Sequence, residues 1–558
     1  MNIIRKYIIG AAGGFVGISL LLWTSAGIAS SSSSSHRKTD QRLRLIVLIV
    51  VDQMRADYLD RFGEQFTGGW KRLLEEGAVF TNAHQDHALT QTAPGHASLL
   101  SGRYPRSTGI IANAWFDRRE KRSVASIEDV HYPQLDDPRR GVSPARFYGT
   151  TLIDWLRQRY RKAKVVSVSR KDRAAVLMVG KRARHVYWYT ATTGGFTTST
   201  YYRQDLPRWV RAFNARHLLH KYAGRHWELL LGDEARYQAS REDDFPQEAS
   251  PRLFGRIFPH PLPRDERQLR RLIALTPWMD EYVLQFAKTA VTALHLGIDN
   301  VPDVLAISLS STDAIGHAFG PYSKEIHDHL LRLDRWLGDF FRFLDKAVGR
   351  QHMLIVLTAD HGVVPLPEFA ARRGRKAKRF SMKPAVNAFQ DRLAVRWGPG
   401  HWILHYRYGM LYFDRQALAQ KGARLVDLER EAVDYFRKLE PVARAYGREY
   451  LQRASVPADT IERRVIHNFH PRRSGDVWLV FKPYYLESAN PWGTSHGSPY
   501  AYDTHVPLIF LGAGVRSGRY DDFAATVDIA PTLAEILGLR PSEHLDGHSR
   551  REIVDERD

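Results

Sequence analysis

Three apolar runs of strand length mark the chain, and each ends abruptly in polar residues: Leu45–Val51 before Asp52, residues 304–309 before Ser310, and residues 353–357 before Thr358. Runs that are apolar on both faces read as strands buried on both sides, the habit of a parallel sheet covered by helices. Segments with helical spacing lie between them, at residues 151–161, 277–296 and 323–348. The order predicts an α/β fold with a mostly parallel central sheet flanked by helices. In such sheets ligands collect beyond the carboxyl ends of the strands, which is where this chain puts its Asp and His residues. Residues 526–538 read as a closing helix, with Pro531 in its first turn and Gly538 as its stop. Two stretches, 182–263 and 365–473, have little sustained periodicity and are expected to be insertions that form a cap and walls around a site.

The amino terminus adds a compartment. Arg5 and Lys6 precede an uncharged stretch from 8 to 29, an export or membrane signal. Gly27 and Ala29 before Ser30 offer a small-residue cleavage site, and the length also fits a spanning helix of roughly 20 residues. Cleavage is the preferred reading over retention as an anchor for residues 1–29. Serines 30–35 open a flexible linker over 30–42, so the catalytic domain is expected over 43–550.

Composition narrows the chemistry further. Lys+Arg number 81 against 61 Asp+Glu, a formal charge of +20 that attracts anions. Cysteine is absent, which removes disulfides, thiolate metal sites, iron–sulfur clusters and cysteine nucleophiles together. Any metal must be held by His, Asp and Glu.

Those residue types cluster at the predicted strand ends. Asp313 and His317 stand four apart after the second apolar run, a spacing that turns an oxygen and a nitrogen toward one cation. Asp360 and His361 follow the third run and precede Gly362, which frees the backbone to turn. Asp52 closes the first run and, alone, reads equally as a helix N-cap or a ligand. His496, in a Gly/Ser loop, completes three Asp and three His, a set that suits zinc. His505 competes nearby but reads as a structural histidine before an apolar run. Thr92 lies two residues before Pro94 at the expected start of a helix, where free backbone N–H groups and the helix dipole favour an anion. Without a metal beside it, Thr92 reads only as an N-cap. Coordination to zinc would lower the pKa of its hydroxyl enough to make it a nucleophile.

Taken together and in order, VVDQM at 50–54, TQTAPGH at 90–96, GIIANAWFD at 109–117, STDAIGHAFGP at 311–321, TADHG, TSHGS and TVDIAPT resemble the alkaline phosphatase superfamily over residues 43–539. The resemblance is to the branch of nucleotide pyrophosphatase/phosphodiesterases, and within it to the Thr-nucleophile phosphate-irrepressible alkaline phosphatases. It implies one zinc held by Asp313, His317 and His496, and a second held by Asp52, Asp360, His361 and Thr92. It gives Asn113 the role of a donor to a phosphoryl oxygen. Residues 167–174 resemble the segment by which monoesterases contact phosphate, through Lys171 and Arg173. Two apart, these would point to one side of an extended segment, and their charge suits a monoester dianion. Arg170 adds a third cation without an assigned direction.

The resemblance thus implies an exported phosphate monoester hydrolase, periplasmic or secreted, with two zinc ions and a phosphothreonine intermediate. Its partners would be small phosphorylated substrates rather than a specific nucleic acid, with membrane association through the N-terminal segment if that is retained. The enzymatic alternative is a phosphodiesterase or nucleotide pyrophosphatase. An alternative of another class is a non-catalytic envelope protein that binds anionic polymers. A sulfatase is disfavoured because no Cys or Ser in a C/S-x-P-x-R setting stands at the nucleophile position.

Overall fold

The computed structural model describes residues 43–251 and 254–555, so the apolar stretch 8–29 and the whole linker lie outside the described residues. Among those described, no helix is long and apolar enough to cross a membrane.

The core is a nine-stranded sheet. In chain order its strands are β1 (Leu45–Val51), β2 (Ala78–Phe80), β3 (Val165–Ser169), β4 (His185–Tyr189), β5 (Phe196–Thr197), β6 (Asp303–Leu309), β7 (Met353–Thr358), β8 (Leu508–Gly512) and β9 (Gly518–Tyr520). Their spatial order is β5-β4-β3-β6-β1-β7-β8-β2-β9. From β4 through β7 all neighbours are parallel, with Leu45 opposite Asp303 on one side and Met353 on the other. Antiparallel β8 then follows β7. Every residue of β1, β6 and β7 is buried. The side chains alternate: Ile46, Leu48 and Val50 feed one core cluster, and Leu45, Val47, Ile49 and Val51 the other. That is the period of two expected of a strand with helices on both faces.

Seven helices matter for the site: α1 (Thr92–Leu99), α2 (Leu152–Arg159), α3 (Asp172–Val179), α4 (Trp278–Leu294), α5 (Ser311–Phe319), α6 (Lys324–Ala347) and α7 (Ile529–Leu537). The sequence-based bounds for α2, α4 and α6 fall within about two residues of these, because each start and stop carries a local signal. Thr151 and Asp154 form a capping box at α2. The Ser323 side chain accepts from the Ile326 N–H at α6. Gly538 stops α7 at φ 61°, in the left-handed region.

The two expected insertions come out differently. Part of 182–263 is not a cap, because β4 and β5 complete one edge of the central sheet, with Val186 paired to Ser167 and Phe196 to Tyr189. The aromatics that looked like cap material instead pack into the core, as with Phe196 against Phe286 at 4.1 Å between ring centroids. The second stretch is a subdomain with its own hydrophobic cluster, built around Phe389, Trp402, Leu411 and Phe436. It runs past the expected boundary at 473, since the strand Val477–Phe481 lies inside its four-stranded sheet between Met410–Phe413 and Val442–Gly447.

The helix Thr460–Asn468 ties this subdomain to the segment that leads into α1. The Asn468 side chain accepts from the Leu89 N–H at 2.7 Å and donates to the Ile111 carbonyl at 3.0 Å. Asp86, 2% exposed, forms ion pairs with Arg463 at 3.0 Å and Arg464 at 3.1 Å. Burial alone would push its carboxyl up. The hydrogen bonds from His467 and Arg463 and the charge of Arg464 outweigh that and hold it well below the usual range. A depressed folded pKa stabilises at every pH above the ordinary carboxyl value and is lost as acid protonates the group, below about pH 4. Asp86→Asn is therefore expected to cost about 3 kcal/mol near neutrality, since it strands the buried Arg464 guanidinium and the half-buried Arg463. Denaturant titrations should show the gap between wild type and variant closing as the pH falls below about 4.

Candidate active site

The carboxyl ends of three adjacent parallel strands present the predicted ligands. Asp52 follows β1 directly, Asp360 and His361 follow β7, and Asp313 and His317 sit one turn apart on α5, which begins two residues after β6. His496 enters on the loop before β8. Thr92 is the first residue of α1, 1% exposed, and α1 reaches the strand ends because residue 95 is glycine. A Cβ on Gly95 would lie 2.3 Å from the Asp360 carbonyl oxygen, so any side chain there would push the helix that begins at Thr92 off the site.

Two groups of side chains converge. The ligand atoms of Asp313, His317 and His496 lie within 4.8 Å of one another, as do those of Asp52, Asp313 and His361. Asp360 joins the second group through His361, whose Nε2 is 3.4 Å from Asp360 Oδ2 and 3.5 Å from Asp52 Oδ1. The resemblance assigned Asp313 to one set alone, whereas here its carboxylate lies between the two. The His361 and His496 rings stack at 3.6 Å. The histidines are oriented from behind: Nδ1 of His317 donates to the Thr494 carbonyl at 2.8 Å, of His361 to the Gly362 carbonyl at 2.9 Å, and of His496 to the Thr90 carbonyl at 2.7 Å. That fixes the tautomer that leaves each Nε2 lone pair facing the cluster. His505 instead bonds through Nε2 to the Thr81 carbonyl at 2.9 Å, a structural histidine as expected.

The electrostatics call for cations. Burial, reinforced by the Asp360 carboxylate, pushes the Asp52 carboxyl up. Burial also opposes ionisation of Asp313, but the Lys171 and His317 charges outweigh it and hold Asp313 well down. The Lys171 ammonium reaches into the cluster, 2.5 Å from Asp52 Oδ2, 2.6 Å from Asp313 Oδ2 and 3.3 Å from Thr92 Oγ1. It is one charge among three carboxylates. Both Asp52 oxygens, Asp360 Oδ2 and His361 Nε2 are buried without a hydrogen-bond partner. Asp52 Oδ2 meets the ammonium at close range yet out of hydrogen-bonding direction. Four unsatisfied buried acceptors facing one space are costly unless a cation meets them. The donor set, imidazole and carboxylate without thiolate, fits divalent metals of the zinc type.

Asn113 and Lys171 both lie next to Thr92, and the second of their segments is folded otherwise than expected. Asn113 Oδ1 accepts from the Ala93 N–H at 2.8 Å, beside Thr92, and its own N–H donates to Gln91 Oε1 at 2.9 Å. A carbonyl oxygen committed in this way leaves the amide NH₂ free to donate. Residues 171–173 are not extended. Lys171 is the N-cap of α3 and Arg173 its second residue, so the two do not share a side by strand alternation. Lys171 reaches the cluster, whereas Arg173 has a buried Nε without a partner and is not among the contacts of the ligands. Arg170 lends its charge to the buried Asp280 and to Tyr189.

Two positioning residues are not evident from the sequence. Gln53, at φ 69°, donates its backbone N–H to Asp360 Oδ1 at 3.1 Å and its side-chain amide to Asp313 Oδ1 at 2.9 Å. His96 sits with Nδ1 2.8 Å from the Thr92 carbonyl and 3.1 Å from Asp360 Oδ2, and with Nε2 2.9 Å from Ser308 Oγ. The available signal is their place inside the motifs, directly after Asp52 and one helical turn after Thr92.

A cleft of about 320 Å³ opens beside Asn113, His317 and His496. Its walls come from Tyr408, Trp478, Phe481 and Tyr485 of the second insertion and from Tyr500, not from residues 182–263.

The sequence profile described as "Type I phosphodiesterase / nucleotide pyrophosphatase" matches residues 46–504. The chain is 35% identical over 532 residues to alkaline phosphatase PafA of Elizabethkingia meningoseptica, covering 93% of this chain and 96% of that protein. It is likewise 35% identical over 542 residues to alkaline phosphatase PhoV of Synechococcus elongatus, covering 94% and 97%. The crystal structure of wild-type PafA superposes with a TM-score of 0.86 at 34% identity, covering 92% of this chain and 99% of that one. The murine ectonucleotide pyrophosphatase/phosphodiesterase 5 shares the fold, with a TM-score of 0.51 at 14% identity.

Proposed function

The chain belongs to the type I phosphodiesterase/nucleotide pyrophosphatase family of the alkaline phosphatase superfamily, and from that premise we propose that it is an exported phosphate monoester hydrolase that transfers phosphoryl through Thr92. The observation that carries this reading is the position of Thr92 Oγ1, at a helix N-terminus, beside Lys171 and the carboxylate–histidine cluster. Phosphomonoesterase activity follows from the full-length alkaline phosphatase relatives.

Asp313, His317 and His496 would hold one zinc, and Asp52, Asp360 and His361 the other, with Thr92 beside the second. When bound, the ions supply the positive charge that lowers the Thr92 hydroxyl pKa and stabilises the departing oxygen. Thr92 Oγ1 attacks phosphorus in line and the ester oxygen leaves, giving phosphothreonine. Water entering from the vacated side then attacks the phosphorus, the Thr92 oxygen leaves, and phosphate is released. The Asn113 amide NH₂ donates to a phosphoryl oxygen. The positive end of the α1 dipole and the Lys171 and Arg173 cations stabilise the oxyanion charge, and such electrostatic stabilisation matters most for a loose phosphoryl transition state. Gln53 and His96 hold the carboxylates in register. The uncharged 8–29 stretch after Arg5 and Lys6 supports export.

Monoester preference rests on Lys171 and Arg173, because a terminal phosphoryl group carries more charge than a diester. In Lys171→Ala/Arg173→Ala, kcat/KM for an aryl phosphate monoester should fall by about 10²–10³-fold, and that for the aryl diester by much less. Steady-state kinetics on monoester, diester and sulfate esters test this. Equal losses on monoester and diester, or a wild type that prefers the diester, would transfer the assignment to phosphodiesterase.

A further inference from the structure

A second cleft, of about 940 Å³, shares no lining residue with the one beside Asn113. It lies between the turn after the strand Ala114–Asp117, residues 128–131 and 145–148, and the inserted subdomain, and eight arginines line it against four carboxylates. Most of those charges are spent on one another. Arg122 pairs with Glu120 at 2.5 Å and Glu128 at 2.7 Å, and Arg146 with Glu120 at 2.7 Å. Arg473 lies against Trp115 and Tyr148 and donates to the Gly109 and Arg146 carbonyls.

Three guanidiniums remain over. Beneath the cleft the buried Asp476 carboxylate is shared by Arg118 at 2.6 Å and Arg415 at 2.5 Å and also accepts from the Phe413 N–H. Arg448 lies beside this trio. Its Nη1 is buried without a hydrogen-bond partner, and burial together with the Arg415 charge lowers its pKa. Besides Asp476, the Glu429 carboxyl, pushed up by burial, stands near Arg448, yet Nη1 bonds to neither, and a buried, unpaired cationic N–H is costly. Arg119 and Arg472 line the same cleft, exposed and without a carboxylate partner.

We propose that this cleft is a second anion site that binds a chain of linked phosphates. Guanidinium forks match phosphate oxygens two at a time. The volume exceeds what one phosphate fills, and Arg448, Arg119 and Arg472 offer charge to successive groups along it. The surplus of positive charge in a concave wall concentrates polyanions there. The site takes its ligand by the phosphate chain, whether free or as the tail of a nucleotide.

The test is calorimetric, on Thr92→Ala protein loaded with zinc so that nothing is hydrolysed, with inorganic tripolyphosphate, orthophosphate and ATP as probes. Tripolyphosphate is expected to bind at a site in addition to the catalytic one. That extra binding should weaken at least about 10-fold in Arg119→Ala/Arg472→Ala, whose exposed side chains make unfolding a poor explanation, and about 100-fold when Arg448→Met is added. The same arginine substitutions with Thr92 intact should leave aryl phosphate turnover unchanged, which separates this site from the catalytic assignment. ATP binding there as tightly as tripolyphosphate supports the site with the nucleotide tail as source, and tripolyphosphate alone supports it with the free chain. No extra site for tripolyphosphate, an extra site whose affinity the arginine substitutions leave unchanged, or orthophosphate binding as tightly as tripolyphosphate overturns the proposal.

Discussion

Thr92→Ala is expected to lower kcat for an aryl phosphate monoester on the order of 10⁴-fold or more, the scale of loss when a covalent nucleophile is removed. Thr92→Ser, which keeps a hydroxyl on the same backbone, should retain a large part of the activity. The distinction matters because Thr92 is buried at the start of α1, where a change of packing could also lower the rate. Rapid quenching of wild type with substrate, followed by intact-mass measurement, should reveal one added phosphoryl group, absent from the alanine variant. A variant that loses only a few-fold would make Thr92 an N-cap after all and return the search for the nucleophile to water. A second substitution probes the same geometry from behind. Since a Cβ at position 95 meets the Asp360 backbone, Gly95→Ala should impair turnover without touching any reacting atom.

Removal of the metals is the other large effect. Chelation should abolish turnover and lower the melting temperature by several degrees, with zinc restoring both. At an ion concentration 1,000-fold above its Kd, each bound ion adds about 4 kcal/mol to the folded state. The stripped cluster also leaves the carboxylates Asp52, Asp313 and Asp360 with little compensation beyond the Lys171 ammonium. In Lys171→Met the stripped protein should therefore be destabilised further, while the zinc-loaded protein should be much less affected in its melting temperature. Differential scanning calorimetry with and without chelator, in both proteins, reads this difference. Unchanged melting and full activity after stripping, with metal content verified, would rule out a metal role for the cluster.

The frame of this site is legible in the amino-acid sequence. Apolar runs with no polar face have to lie in a buried parallel sheet, and β1, β6 and β7 do; the residues that end them then have to meet at one edge. The rest depends on partners far away in the chain. Gln53 and His96 are informative only once Asp360 and Asp313 stand beside them. The run His-Val-Tyr-Trp-Tyr at 185–189 resembles a cap because its aromatic bulk masks its place as the second strand of the sheet, next to a two-residue edge strand. Lys171 and Arg173 read as extended by their spacing, although Asp172, an acidic residue in a first turn, precedes a run of good helix formers.

The stacking of His496 on His361 also sets an order of assembly. Between these two rings the chain makes an excursion that includes a sheet with its own core. The entropy of closing so long a loop rises only slowly with its length, but contacts between distant parts of a chain form late. The strands that carry the other ligands are themselves far apart in the chain, with Leu45 paired to Asp303, so the cluster closes only as β1, β6, β7 and β8 come together. A chain threaded unfolded through a membrane pore would reach the far side with its ligands still separated. The zinc available there, rather than in the compartment of synthesis, would then determine how much of the protein becomes active.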